Sequence, residues 1–292
     1  MPDRGHVPVL IEEILAALKP RKGKVIADCT VGLGGHTVEL LRKKAEVIGL
    51  DLDPANLARA EEQLKEIGGM FELHHSNFAA LPTVLAGRTV DGILADLGVS
   101  SPHIDDVRRG FSYRKSGPLD MRMDPSRGQP ASALLDRMSE EEIARAILEL
   151  GDEEAAPEIA RRIVERRPIR TTQELAAIVC EARDFTLQRA AGAKLHPAAR
   201  TFQAIRMLVN RELPNLERLL AVLPECLRPG GVAAIVSFHS GEDRRVKQAF
   251  REGLRTGTYD RASDDPTIAS AEERRVNPRS AAAKLRWARR SK

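Results

Sequence analysis

The sequence predicts an α/β fold, in which a parallel sheet flanked by helices is interrupted by a long helical insertion. Short β-rich runs bounded by glycines alternate with helical stretches over the first hundred residues, a pattern typical of βαβ units. No strand-like run is found between positions 105 and 228, and the strand pattern returns at Gly231–Phe238. A chain of 292 residues is long enough to bury a full core around such a sheet and to carry an insertion.

The first part of the chain contains four predicted strands and the helices that connect them. The strands are Lys24–Cys29, Glu46–Leu52, Met70–His74 and Val90–Leu97, with helices over about 36–44 and 54–67. Pro54 suits the first turn of the second helix, because the N–H that proline lacks would have no partner inside the helix at that position.

The middle of the chain is predicted to be helical. Residues 98–138 are rich in Gly and Pro and are expected to be loop. Ser139 then begins a capping box, a helix covers about 153–167, and Thr171 is the predicted N-cap of another helix. The predicted organisation is a first part of the core domain at 1–105, an inserted, mainly helical domain for substrate recognition at 106–197, and a second part of the core domain at 198–292.

The last part of the chain carries a local excess of positive charge. A helix over 242–255 follows the fifth strand, and residues 271–292 contain eight basic but only two acidic side chains. Alternation of Ala283, Leu285 and Trp287 with basic residues predicts a half-buried strand there. Positive charge concentrated at one end favours a polyanion such as RNA as the partner.

Several classes of protein are excluded by composition. The longest apolar runs are too short to cross a bilayer, and no secretory signal is visible at the start of the sequence. Three widely spaced cysteines without a C-x-x-C pair exclude a disulfide framework and a cysteine-based zinc site. We therefore expect a cytoplasmic protein with no membrane partner and no metal, either a monomer or a homodimer.

A glycine-rich turn and three carboxylates are the candidate cofactor site. The segment Asp28–His36 follows the first strand, and Asp51 and Asp96 end the second and fourth strands. Ligands of open α/β sheets bind at the carboxyl ends of strands. The third glycine of a dinucleotide-binding G-x-G-x-x-G motif is replaced by Thr37. A ring of carboxylates suits a cationic nucleoside such as S-adenosylmethionine better than the pyrophosphate of NAD.

The loop after the fourth strand is the candidate catalytic segment. The exocyclic amine of a base is a poor nucleophile, so an enzyme must offer hydrogen-bond acceptors that orient it. Asp96, Ser100 and Ser101 are such acceptors in this loop. His239 ends the fifth strand and, as an alternative to water, could accept the proton that the amine releases.

Segments spread over nearly the whole chain resemble the RsmH (MraW) family of 16S rRNA cytosine-N4 methyltransferases. They are His6–Leu10, D-C-T-V-G-L-G-G-H at 28–36, D-L-D-P-A at 51–55, D-G-I-L-A-D-L-G-V-S-S-P at 91–102, G-F-S at 110–112, P-L-D-M-R-M-D-P at 118–125, R-T-F-Q-A-I-R at 200–206, S-F-H-S at 237–240 and N-P-R-S at 277–280. The segments at 118–125 and 200–206 are the most specific, since general methyltransferases do not carry them.

The resemblance implies a class I (Rossmann-like) S-adenosylmethionine-dependent methyltransferase sheet interrupted by the helical domain. The implied reaction moves a methyl group from S-adenosylmethionine to the N4 exocyclic amine of a decoding-centre (P-site) cytidine in 16S rRNA of the small ribosomal subunit. The implied cofactor contacts are Gly34, Gly35, His36, Asp51, Phe78, Asp96 and His103. The family usually has Gln at the position of His103, Leu at that of Gly241 and Thr at that of Ala199.

Three alternatives stay open at the level of sequence. A nicotinamide-dependent oxidoreductase would use the same kind of sheet, and titration with NAD and S-adenosylmethionine separates the two. A ribosome-assembly factor with a vestigial cofactor pocket would bind the subunit without methylating it. A methyltransferase acting on DNA would share the basic tail, because attraction to phosphate is independent of base sequence.

Overall fold

The structure is a computed structural model, and it describes residues 8–186, 190–191 and 196–292. His6 and Val7 of the first resembling segment lie outside these residues. The chain divides into two compact units, one formed by Met1–Gly98 with Leu213–Lys292 and the other by Val99–Glu212. The predicted insertion at 106–197 falls inside the second unit. That unit extends further at both ends because Val99, Phe202 and Ile205 belong to its apolar cluster.

The first unit is built on an eight-stranded sheet. Its strands are β1 (Val25–Asp28), β2 (Glu46–Asp51), β3 (Phe71–His75), β4 (Val90–Asp96), β5 (Leu227–Ser237), β6 (Tyr259–Ala262), β7 (Thr267–Ile268) and β8 (Lys284–Arg290). Their order is β3-β2-β1-β4-β5-β8-β6, and β7 also pairs with β8. Strands β1 to β5 run parallel, whereas β8 is antiparallel to its neighbours. The predicted parallel α/β sheet is confirmed.

Helices of both units follow in chain order. They are α1 (Ile11–Leu18), α2 (Gly35–Arg42), α3 (Pro54–Ile67), α4 (Leu81–Leu85), α5 (Ser101–Asp105), α6 (Ala131–Arg137), α7 (Glu140–Gly151), α8 (Ala156–Glu165), α9 (Thr172–Ala182), α10 (Ala199–Asn210), α11 (Glu212–Cys226), α12 (Ser240–Arg255) and α13 (Ala271–Val276). The helix predicted at 54–67 has the predicted bounds. Asp53 caps it by accepting a hydrogen bond from the Ala55 N–H at 2.8 Å.

Apolar side chains cover both faces of the sheet in the first unit. Successive strand residues alternate between two clusters. On one face Ile93 packs in a cluster with Leu223 of α11 and Phe250 of α12. On the other, Leu94 packs in a cluster with Leu18 of α1. Burial on both faces explains why the parallel strands are almost continuously apolar in sequence.

The second unit is helical, and its helix caps include those predicted. The Ser139 hydroxyl accepts from the Glu142 N–H, and the Thr171 hydroxyl accepts from the Glu174 N–H, each at 3.2 Å. The expectation that 98–138 is entirely loop was wrong, because α5 and α6 lie within it. These helices have only five and seven residues, too few to show a helical periodicity among so many Gly and Pro residues.

The two most family-specific segments meet within the second unit. Asn210, at the end of α10, donates from Nδ2 to the Met121 carbonyl and accepts at Oδ1 from the Met123 N–H, both at 2.8 Å. Met121 is fully buried and has a φ of 63°, in the left-handed region that non-glycine residues rarely adopt. The helix that carries R-T-F-Q-A-I-R therefore holds the P-L-D-M-R-M-D loop in a conformation that costs free energy.

Within the described ranges no helix is both long and apolar enough to cross a membrane.

The C-terminal strand is held by a buried ion pair. Arg286 on β8 is 3% exposed, and its Nε donates to Asp243 Oδ1 on α12 at 2.7 Å. Removing one partner of a buried ion pair leaves the other charge without compensation. We therefore expect Arg286→Met to lower the free energy of unfolding by about 3 kcal/mol, measured by urea denaturation followed through the fluorescence of Trp287, the only tryptophan in the sequence.

A matched control is available on the same strand. Arg289 forms a pair with Asp260 at 2.7 Å, but both side chains are one-third exposed, and exposed pairs contribute at most about 1 kcal/mol. Arg289→Met should therefore cost much less than Arg286→Met. Equal losses for the two variants would contradict a stabilising role specific to the buried pair.

Candidate active site

The carboxylates singled out in the sequence lie at one edge of the first unit's sheet. Asp28 of β1 is in register with Gly49 of β2 and Leu94 of β4. Asp51 and Asp96 therefore lie two residues further along their strands, beyond the last paired residue of β1. This edge is the carboxyl end of the parallel strands, where open α/β sheets bind their ligands.

Asp28 supports the turn after β1. It is completely buried, and its Oδ2 accepts from the Thr37 hydroxyl at 2.7 Å while its Oδ1 accepts from the Thr30 N–H at 3.1 Å. Burial raises the pKa of Asp28 above its usual value, and the hydrogen bond from Thr37 opposes that shift. Both oxygens are engaged within the protein, so Asp28 holds the turn and the first turn of α2 in place.

The glycine turn is tied to the end of β2. Gly32 and Gly34 have φ values of 54° and 89°, a region that glycine adopts at little cost. The Gly32 N–H donates to Asp51 Oδ2 at 2.7 Å. A Cβ on Gly35 would lie 2.8 Å from Cγ of Pro8, so a glycine is required there for packing. Asp51 also accepts at Oδ1 from the Asp53 N–H at 2.8 Å. It thus joins the glycine turn to the segment that precedes α3.

Thr30 is a site residue that sequence reasoning missed. Its hydroxyl accepts a hydrogen bond from the Asp96 backbone N–H at 2.6 Å, which fixes the end of β4 against the turn after β1. The available signal was a hydroxyl in the D-C-T segment, two positions after Asp28. The sequence does not show which strand end such a hydroxyl will meet.

His36 and Asp96, two of the predicted cofactor contacts, lie next to each other in the first unit. The His36 Nε2 lies 3.4 Å from Asp96 Oδ2, and the imidazole is buried. Burial alone would lower the pKa of His36, but the Asp96 carboxylate and, more weakly, Asp28 raise it above its usual value. The arrangement therefore favours a protonated imidazole beside Asp96.

Asp96 also has a buried oxygen that the protein does not use. Among the described residues, no donor forms a hydrogen bond with Asp96 Oδ1. A buried carboxylate oxygen without a donor is unfavourable unless a ligand satisfies it. The donor chemistry of S-adenosylmethionine, whose ammonium and sulfonium are positive, fits an acidic edge of this kind.

Phe78 follows β3, the strand that neighbours β2 in the sheet. It begins a single 3₁₀ turn, Phe78–Ala80, which Asn77 caps by accepting from the Ala79 N–H at 2.8 Å. The Ser76 N–H donates to the Asp51 carbonyl at 3.0 Å, so this segment is joined to the strand end that carries Asp51. Phe78 is half-buried against the core of the first unit and supplies an apolar surface at this edge.

His239 is the N-cap of α12 at the end of β5. Its Nδ1 accepts from the Glu242 N–H at 3.4 Å, and its Nε2 lies 3.2 Å from Glu242 Oε1. Glu242 is buried, and its Oε2 accepts from the Phe238 N–H at 2.9 Å. Glu242 was missed in the sequence, although a cap residue followed three positions later by Glu is the spacing of a capping box.

The departure at Gly241 does not prevent α12 from starting at Ser240. A Cβ at Gly241 would lie 3.2 Å from His239 Nδ1, closer than most such contacts. The glycine therefore leaves room beside the imidazole that the family's usual leucine would restrict.

Ser100, Ser101 and His103 belong to the second unit. Ser100 is the N-cap of α5, and its hydroxyl lies 3.1 Å from His103 Nδ1. The His103 ring is buried and packs at 5.0 Å from the Phe111 ring. The Ser101 hydroxyl is buried, and no partner for it is found in the described part of the chain. Ser100 and His103 thus form one local group, and Ser101 Oγ is left available to a ligand.

The same described residues contain no group of three His, Cys, Asp or Glu side chains placed to hold a metal ion.

The His36–Asp96 pair predicts a pH dependence of stability. A histidine whose pKa is raised on folding stabilises the protein fully below its unfolded pKa of about 6.5, and the contribution is lost as the pH rises through the higher pKa of the folded state. The wild type should therefore have a larger free energy of unfolding than His36→Gln, and this difference should be largest at about pH 6 and smallest at about pH 9. Urea denaturation across this range measures it, and a pH-independent difference would contradict it.

Comparison with known proteins gives a match over nearly the whole sequence. The model of the MraW methylase family matches residues 3–291. A protein of Heliobacterium modesticaldum named "Ribosomal RNA small subunit methyltransferase H" is 44% identical over 305 residues, which cover 97% of each chain. A protein of the same name from Koribacter versatilis is 42% identical over 294 residues, covering 97% of this chain and 93% of that protein.

Among solved structures, an rRNA methylase from Streptococcus thermophilus aligns with 100% of this chain and 99% of its own, at 12% identity and a TM-score of 0.46. The assignment rests on the sequence relationships. The chain belongs to the MraW methylase family, a family of S-adenosylmethionine-dependent methyltransferases, and not to the nicotinamide-dependent oxidoreductases.

Proposed function

We propose that this protein transfers a methyl group from S-adenosylmethionine to the N4 exocyclic amine of a P-site cytidine in 16S rRNA. The observation that carries the proposal is the Asp96 carboxylate, whose Oδ2 lies 3.4 Å from His36 Nε2 and whose buried Oδ1 has no partner in the described residues. The relatives' name supports small-subunit rRNA as the acceptor. The cytidine N4 atom is supported by the resemblance of the segments at 118–125 and 200–206.

In this proposal the cofactor lies at the acidic edge of the sheet. Asp51 would bind the ribose hydroxyls, the turn at Gly34 and Gly35 would let the backbone approach, and Phe78 would provide apolar contact. His36 would act with Asp96, and His103 is proposed as a further cofactor contact. When bound, S-adenosylmethionine supplies a methyl group already activated by its sulfonium. Catalysis therefore depends mainly on how the protein aligns the acceptor.

Asp96 is the proposed acceptor-orienting residue. A carboxylate oxygen can accept an N–H from the target amine and draw electron density toward its nitrogen, which is otherwise delocalised into the base. Because the Asp96 backbone is fixed by Thr30 at 2.6 Å, the carboxylate is positioned before substrate arrives, and such preorganisation lowers the barrier. Ser100 and Ser101 are proposed to supply further hydrogen bonds to the amine.

Water or His239 is the proposed proton acceptor. The His239 Nδ1 lone pair is engaged by the Glu242 N–H, so the neutral ring is assigned its proton on Nε2, toward Glu242. For His239 to take a proton at Nδ1, this long capping contact would have to open.

The decisive experiment uses small ribosomal subunits from cells that lack this gene. Subunits are incubated with the purified protein and labelled S-adenosylmethionine, and the nucleosides are identified by mass after digestion. N4-methylcytidine at a single P-site position is the expected product. Cofactor binding without label in the RNA would favour a ribosome-assembly factor, and label in DNA substrates alone would change the acceptor. Because ribosomal subunits function in the cytoplasm, the proposal also places the enzyme there.

Asp96 and Asp91 provide a matched pair of variants on one strand. Asp96 lies at the carboxyl end of β4, whereas Asp91 lies at its amino end, where it pairs with Arg228 at 2.8 Å. We expect Asp96→Asn to lower kcat about 100-fold, since removing one preorganised hydrogen-bonding group has that order of effect. Asp91→Asn should leave kcat unchanged. Single-turnover methylation measures both, and full turnover by Asp96→Asn with normal cofactor affinity would remove the proposed role.

A further inference from the structure

The basic tail, which the sequence suggested as an RNA contact, has much of its charge engaged inside the first unit. Arg286 is buried against Asp243, Lys284 lies 3.7 Å from the same carboxylate, and Arg289 pairs with Asp260. Arg290 donates to the Leu227 carbonyl. Because these four cations already have acceptors, they contribute less to binding an external polyanion than cations without a carboxylate partner.

The outer face of α12 carries cations that, unlike those four, mostly have no carboxylate partner in the described residues. The face is defined by Arg244, Lys247, Gln248, Arg251, Glu252 and Arg255, which line one surface groove of about 520 Å³. Among the residues that the structure describes, no carboxylate pairs with Arg244, Lys247 or Arg251. Arg255 pairs with Glu252 at 2.6 Å, so the face has a net charge of +3 from four cations and one carboxylate.

The spacing of these residues places them in one row. Positions 244, 247, 251 and 255 are separated by three or four residues, which puts their side chains on the same side of a helix. At 1.5 Å per residue, neighbouring cations lie about 4.5 to 6 Å apart along the axis. On another side of the same helix, Arg245 is engaged with Glu217 at 2.7 Å. Arg244, Lys247 and Arg251, the cations of this row without a carboxylate partner in the described residues, therefore belong to the outer face.

The row starts beside the candidate active site. His239 caps α12 at the carboxyl end of β5, and Arg244 lies in the second turn of the helix. A second basic stretch, Lys19–Lys24, lies before β1 at the opposite, amino-terminal edge of the sheet. Of these two groups of cations, only the α12 face extends from the edge that carries Asp96.

We propose that the outer face of α12 binds the phosphate backbone of the RNA that flanks the target nucleotide. This inference rests on the proposed function for the identity of the RNA. Phosphate contacts position a nucleic acid without reading its sequence. A row of long cationic side chains without aromatic residues suits contacts of this kind. The face thus fixes how the RNA lies beside the site, and the residues at the strand ends act on the base.

The test compares two variants that each lose three positive charges. One is Arg244→Ala/Lys247→Ala/Arg251→Ala on the α12 face. The other is Arg21→Ala/Lys22→Ala/Lys43→Ala, which removes exposed cations elsewhere on the first unit. Binding to unmethylated small ribosomal subunits and to purified 16S rRNA is measured against KCl concentration, and steady-state methylation gives KM and kcat.

The α12 variant should reduce the slope of log affinity against log salt by about 2 to 3, since each phosphate contact contributes about 0.7 to 0.9. Its KM for RNA should rise about 10- to 100-fold, with kcat at saturating RNA and the affinity for S-adenosylmethionine nearly unchanged. The control variant should differ little from the wild type. Glu252→Gln, which frees Arg255, should shift binding in the opposite direction and lower KM.

Three results would overturn the proposal. An unchanged salt slope in the α12 variant would show that this face does not contact RNA. Equal losses in both triple variants would show that net charge matters and location does not. If the α12 variant lost the ability to bind vesicles of anionic lipid but kept its affinity for RNA, the face would be assigned to a membrane surface.

Failure of the proposed function gives a different pattern. In that case the wild type would not methylate the subunits, yet its RNA binding could still depend on the α12 face. If the wild type methylated the subunits and the α12 variant kept the wild-type RNA binding and KM, only the role of the face would be refuted.

Discussion

Backbone N–H groups at the carboxyl ends of β1 and β4 must find hydrogen-bond acceptors on neighbouring segments, and the candidate site depends on how they do so. The Cys29 N–H donates to the Leu94 carbonyl, the Gly32 N–H to Asp51 and the Asp96 N–H to Thr30, at 2.6 to 2.8 Å. A buried N–H without an acceptor would cost as much as a lost hydrogen bond. Meeting this demand joins the ends of three strands and fixes Asp51 and Asp96 before any ligand binds.

Buried charges in the first unit fall into two kinds that the sequence does not distinguish. Both oxygens of Asp28 accept hydrogen bonds from the turn that it supports, and the Arg286 guanidinium is paired with Asp243. Asp96, by contrast, keeps a buried oxygen for which the described residues offer no donor. The first kind stabilises the fold, and the second is the kind that a substrate or cofactor would complete.

The family-specific segments of the second unit have a role in holding the structure of that unit. Asn210 bonds the backbone of Met121 and Met123, and Met121 is held with a positive φ in a buried position. Such a conformation persists only where its surroundings compensate for it. The P-L-D-M-R-M-D sequence therefore serves, at least in part, to form and hold this loop conformation.

The sequence by itself determined the elements whose signals are local. Helix α3 follows from Asp53, Pro54 and the pattern after them, and the caps at Ser139 and Thr171 each act within one turn. The family followed from the sequence for a related reason, since its motifs are contiguous segments. Strands β6 and β7 were not predicted, because they are short strands defined by pairing with residues of β8 that lie 16 to 31 positions later in the sequence.

Only the tertiary structure decided which polar groups share a site. Thr30 meets Asp96 across 66 positions, and Glu242 was not distinguished from other carboxylates until its contact with His239 was seen. It also decided that Arg286 and Arg289 of the tail are paired with carboxylates, whereas Arg244 and Arg251 on α12 are exposed. The physical reason is the same in each case. Pairing of charges and hydrogen-bonding groups depends on distances between strand and helix ends, and the packing of the whole unit sets those distances.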